Sequence, residues 1–155
     1  MRSIPVLVLF LAACGGSSPP ANQPKTVEEH PAEPGPGEAP ASFADQVALG
    51  GTLYGKHCAS CHGDAGQGGR APRLVGLADG ALPLDPPAER KYRTGKFVTV
   101  ADVATFVVAN MPPREAGSLT ADQYWAILAF DLKANGINLE QKLDPALAAT
   151  QTIPR

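Results

Sequence analysis

The sequence predicts an all-α domain, on two observations. Three stretches open with capping-box spacing and continue with apolar residues at helical intervals: Ser42 with Asp45, Thr99 with Asp102, and Thr120 with Gln123. No βαβ unit and no hairpin pattern stands between them. The prospective domain spans roughly 95 residues, a size at which a protein core alone is marginal. Aromatic residues make up only 6 % of the chain, so the core needs apolar material beyond its own side chains.

The first residues lie outside that domain. Met1-Arg2 is a short positive region, and Ile4 to Leu11 is an apolar run too brief to span a bilayer as a permanent helix. Leu11-Ala12-Ala13-Cys14 follows, with Gly15 behind it. This resembles a bacterial lipoprotein signal over residues 1–14, in which Cys14 is lipidated and becomes the new N-terminus. Several acyl chains on one residue make a stable anchor. Residues 15–41 are dense in proline and leave no helical or strand period. They read as a disordered tether, reaching roughly 80 Å at about 3.1 Å per residue. His30 within it reads as a solvated linker residue. The net charge of −2 gives no reason to expect nucleic acid as a partner.

The first helix begins at Ser42, with Phe43, Val47, Gly50 and Tyr54 along one face. A glycine in mid-helix costs about 1 kcal/mol relative to alanine, so Gly50 calls for a packing reason. The helix leads to Cys58-Ala59-Ser60-Cys61-His62. Each thiol can add to one vinyl group of a haem, and the imidazole that follows is then held under the iron as its proximal ligand. At average residue frequencies a chain of 155 residues should rarely contain such a window by chance. A redox CxxC belongs beside a βαβ unit, and a structural zinc site needs four ligands; neither a βαβ unit nor a second ligand pair is present. His57 reads as exposed and directed away from the iron. Gly63 to Gly69 is glycine-rich but lacks the Lys-Ser/Thr ending and the preceding strand of a phosphate loop, so it reads as a turn around the haem edge.

The motif, together with Gly50-xxx-Tyr54-xxx-Cys58, resembles the class I c-type cytochromes over roughly 42–136. That resemblance implies a cytochrome c fold, with N- and C-terminal helices crossing around one covalently bound haem c, and it gives Gly50 its role in letting the helices approach. Ala71-Pro72-Arg73-Leu74-Val75-Gly76-Leu77 is similar to a family segment with alanine in place of the first glycine. By resemblance, the Pro72 carbonyl accepts a hydrogen bond from His62 and Leu74 packs on the haem. The helix opened by Thr99, with Val103, Phe106 and Val107 inward, ends near Asn110 and delivers Met111-Pro112-Pro113. The family places its sixth ligand in such a context, which implies that His62 and Met111 are the two iron ligands.

Residues 78–99 are less readable. Leu82 to Pro87 cannot form regular helix, and Arg90, Lys91, Arg93 and Lys96 cluster around Tyr92. Arg93 and Tyr92 are candidates to neutralise a haem propionate; a solvated face or a docking patch for an acidic partner is the equal alternative. The last helix starts at Thr120, carries Tyr124, Ile127, Leu128, Asp131 and Leu132 as a mixed stripe, and ends at Asn135-Gly136 with Gly136 as left-handed cap. Ile127 and Phe130 are the expected partners of Gly50 and Tyr54. The extension 137–155 either wraps the domain or stays loose.

A His/Met pair leaves iron six-coordinate, closed to oxygen and peroxide, and favours the reduced state. The expected function is a non-enzymatic electron carrier, exported and lipid-anchored to a bacterial membrane facing the periplasm. Its redox partner proteins would be a donor dehydrogenase or quinol-oxidising complex and an acceptor oxidase or reductase. The alternatives are a haem subunit permanently bound to a dehydrogenase and a ligand-binding or peroxidatic haem protein.

Overall fold

The computed structural model describes residues 39–77, 81, 84–86, 88 and 93–155. Five helices are present among them: α1 (Phe43–His57), α2 (Ala59–His62), α3 (Val100–Asn110), α4 (Ala121–Ala134) and α5 (Pro145–Thr150). The only extended pairing among the described residues is an isolated bridge between Thr99 and Thr152, and no described helix is long and apolar enough to cross a membrane. The signal, Cys14, His30, Arg90, Lys91 and Tyr92 lie outside the described residues.

All three capping boxes form. Ser42, Thr99 and Thr120 each accept from the backbone N–H three residues on, and Asp45, Asp102 and Gln123 return the bond to the cap N–H. Each closes two of the four N–H groups that a helix start leaves unpaired. At the other end of α4, Gly136 (φ +80°) donates to Lys133 and Ile137 donates to Leu132. This is the Schellman arrangement that a left-handed glycine permits.

Helices α1 and α4 cross at Gly50. A Cβ there would overlap the carbonyl oxygen of Ala126 and stand 2.9 Å from the Phe130 Cβ. The closest partner is therefore α4 backbone, one residue before the expected Ile127, because a glycine removes the side chain that would hold the backbones apart. One turn further on, the rings of Tyr54 and Phe130 lie 5.1 Å apart at 39°, a pairing worth about 0.5–1.5 kcal/mol beyond its area. Leu53, Tyr54, Ala126 and Ile127 form one buried cluster around this crossing. A second cluster joins the start of α1, α3 and the outer face of α4 through Phe43, Val103, Leu128 and Leu132.

The C-terminal extension completes that second cluster. Gln46 is fully buried; its Nε2 donates to the Leu143 carbonyl at 2.8 Å and its Oε1 accepts from the Leu143 N–H at 2.7 Å. Asp144 caps α5, and the chain then runs beside the start of α3, with Val100 donating to Gln151 and Ile153 donating to Val98. The extension wraps the domain. Pro40 is also buried, so packing begins before the Ala41 boundary expected for the tether.

Two substitutions should separate backbone approach from helix propensity. Gly50→Ala should destabilise the holoprotein by about 1–3 kcal/mol through overpacking, whereas Gly55→Ala, which meets nothing within 4 Å, should stabilise by up to about 1 kcal/mol; denaturant midpoints give both. Gln46→Leu should strand the Leu143 N–H and C=O at a cost of about 1–3 kcal/mol each. Hydrogen exchange at Leu143 and faster proteolysis after residue 137 would register release of the extension.

Candidate functional site

The site is built where α1 ends. Cys58 leaves helical geometry (φ −120°) and starts one further turn, α2, with its carbonyl accepting from both Cys61 and His62. Gly63 (φ +83°) stops that turn; a Cβ would meet the Gln67 side chain at 2.5 Å. The Tyr54 hydroxyl donates to the Gly63 carbonyl at 2.8 Å, tying the turn back to the helix crossing. The chain then doubles back, with Gly68 donating to His62, Ala71 to Cys61, and Leu74 and Val75 both to Gly66. This fold-back sets the Pro72 carbonyl oxygen 2.8 Å from Nδ1 of the buried His62. A carbonyl only accepts, so Nδ1 carries the proton and Nε2 keeps its lone pair for a metal. His57, expected to be exposed, is half-buried in the last turn of α1, where an imidazole suits the helix C-terminus.

Met111 lies across from this loop. It caps α3, its N–H donating to Val107, and its carbonyl accepts from the Tyr124 hydroxyl at 2.8 Å. That hydroxyl also accepts from the Gly117 N–H at 3.0 Å, so one α4 side chain fixes both ends of the 111–117 loop. His62 and Met111 line one cavity of about 520 Å³, walled by Pro72, Phe97, Phe106 and Pro113 among others. The rings of Phe97 and Phe106 meet edge-on at 5.5 Å.

Leu74, Cys58 and Cys61 do not line that cavity. Leu74 packs against the cluster at the helix crossing, as does Cys58, and both cysteines are half-buried free thiols. Burial first, then Asp131 and Cys61, pushes the Cys58 thiol up to about 12, the opposite of the low value that a redox or nucleophilic cysteine needs. Among the described residues no three His, Cys, Asp or Glu side chains gather as a metal site. Arg93 lines the cavity, but its guanidinium donates to the carbonyls of Leu84, Asp85 and Gly95 and lies 3.8 Å over the Phe97 ring.

Two contributions went unread in the sequence. Asn135 holds the loop behind Pro72: its Oδ1 accepts from Gly76 and its Nδ2 donates to Leu74, both at 2.9 Å. As a helix-ending residue before glycine, it had already been accounted for. Asp131, read as part of a mixed stripe, is buried, and its Oδ1 has no hydrogen-bond partner. Its position between Leu128 and Leu132 was the available signal.

The residues fit a haem. The cavity falls within the roughly 300–1,000 Å³ typical of cofactor sites, its walls are largely apolar, and an imidazole with a free Nε2 and a thioether line it together. Residues 45–130 match the family model described as Cytochrome C oxidase, cbb3-type, subunit III. No curated protein matches the chain. The crystal structure of the sulfane dehydrogenase SoxCD from Paracoccus pantotrophus is similar, at 28% identity and a TM-score of 0.51, over 70% of this chain and 53% of that one. This chain thus spans about half the length of that relative. Since the family match takes in most of α1, the haem motif and most of α4, the protein belongs to this family of class I c-type cytochrome domains and is an electron-transfer protein carrying haem c.

Proposed function

We propose that the protein carries single electrons through an iron held by His62 and Met111, with Cys58 and Cys61 as the thioether attachments. The observation that supports this most directly is that the imidazole and the thioether side chains line one apolar cavity. Bound there, haem supplies a one-electron couple; the chain supplies ligands, orientation and exclusion of water. Pro72 fixes the His62 tautomer and ring orientation. Tyr124 fixes the Met111 backbone, so the sulfur needs little rearrangement between oxidation states. With both residues bound, the iron would have no open position, which disfavours a ligand-binding or peroxidatic role.

Met111→Ala should abolish the weak long-wavelength sulfur-to-iron band of the ferric protein, lower the midpoint potential and admit exogenous ligands such as cyanide. An unchanged spectrum and potential would remove Met111 from the ligand set.

A second reading has the domain as a dedicated haem subunit of a larger oxidoreductase. The similarity to a sulfane dehydrogenase favours it, as does a family described by an oxidase subunit. Co-purification of a catalytic subunit in stoichiometric amount would decide between the two; a free carrier elutes alone. For the location we propose a lipid anchor at Cys14 on a bacterial membrane facing the periplasm, supported by the lipoprotein-like signal and by a haem attachment chemistry that belongs to the outer face of the membrane. Cys14→Ser should move the protein from the membrane to the soluble fraction, and continued membrane association would assign the anchor elsewhere.

A further inference from the structure

Among the described residues, Asp131 is the one buried acid, and the electron-carrying site gives it no use. Its side chain emerges from α4 between the two hydrophobic clusters, and only 9 % of the residue is exposed. Oδ1 has no partner. A cavity of about 20 Å³ adjoins it, lined otherwise by Val100, Val103, Leu128, Leu132 and Ile153. That space holds at most one water, and none of its other lining residues carries a charge. The groups facing Asp131 from α1 are Tyr54 and, at the helix end, Cys58, and its charge acts on both. Burial in the first place keeps the Tyr54 hydroxyl neutral, up to about 12, and Cys58 becomes an uncharged thioether once haem is attached. From α3 and the C-terminal segment it faces only valine and isoleucine. A carboxylate in this position lacks a compensating cation, and it lies close to the residue that bonds the haem.

We propose that Asp131 binds a proton when the haem iron is reduced and releases it on oxidation, so that the protein moves one electron together with one proton. The inference goes beyond simple electron transfer. It rests on haem attachment at Cys58 and not on the identity of the distal ligand. The ferric site carries one more positive charge than the ferrous site, and that charge is what favours the Asp131 carboxylate. When a donor protein delivers an electron, the compensating charge is lost and the buried carboxylate takes a proton from solvent, forming an O–H bond. On transfer to an acceptor, the electron leaves and the proton returns to solvent. Burial pushes this carboxyl up to about 7, so both forms are populated near neutrality. The sign follows directly: as pH rises through that window the required proton becomes scarcer, and the midpoint potential falls.

The test uses the full-chain holoprotein, titrated by spectroelectrochemistry between pH 5 and 9. The wild type should lose potential across a limited window around neutrality. The slope there should be non-zero and no steeper than one proton per electron, a tenfold change in equilibrium constant per pH unit, or 59 mV for a one-electron couple. Asp131→Asn should be flat in that window, near the acid plateau of the wild type. A flat wild-type profile, or an Asn variant keeping the wild-type slope, would overturn the proposal. If the variant does not fold, the wild type still decides. Reduced-minus-oxidised infrared spectra at neutral pH should gain a protonated-carboxyl stretch that shifts with ¹³C-aspartate, and absence of that band would also overturn the proposal. The sulfur-to-iron band, read in the same ferric samples, reports Met111 separately.

Discussion

The approach of α1 to α4 at Gly50 is the constraint on which the site depends. With no side chain between them, the α1 backbone rests on the Ala126 carbonyl, which sets how closely the two helices approach. Tyr54 then lies against Phe130 with its hydroxyl aimed at Gly63. The turn that carries Cys61 and His62 is thereby located by the crossing and not by the loop itself. A larger residue at position 50 would shift the thiols, the imidazole and its Pro72 acceptor together.

Helix α4 also organises both walls of the cavity, largely through side chains that bond to loop backbone. Tyr124 near its start holds the carbonyl of Met111, and Asn135 at its end holds Leu74 and Gly76. These loops bond largely within themselves, and the side chains of α4 pair the groups left over, since an unpaired buried amide or carbonyl is costly. Fixing them from one rigid helix sets both walls relative to a common frame. Proximity to that frame is also what gives Asp131 its influence, since a charge acts strongly where water is scarce.

What could be read from the sequence was local. The caps are satisfied within four residues, so Ser42, Thr99 and Thr120 could be placed without knowing the tertiary structure. A mid-helix glycine costs stability unless something packs on it, which made Gly50 conspicuous. The Cys58–His62 motif carries its chemistry in its spacing. Long-range polar pairs leave no such mark. Nothing local in the sequence marks Gln46 as buried, because its partner, Leu143, is 97 residues away. Asp131 is hidden by the same reasoning, since a carboxylate on a helix is ordinarily solvated. Prolines exclude helix from much of 82–87 but do not say where the chain goes. The role of Arg93 as a clamp on three carbonyls became visible only with the backbone in place.

The strap formed by the C-terminal segment bears on the order in which the molecule is assembled. Its contacts with the start of α1 and with α3 tie the beginning of the folded region to its end, and loop closure over such a span cannot precede synthesis of the last turn. Helix α4 is made earlier and already gives α1 its crossing partner, so the segment adds only the closure over Gln46 and the start of α3. The segment is therefore a latch: the α1–α4 crossing that locates the thiols can form without it, and its docking ties the two ends of the folded region together last.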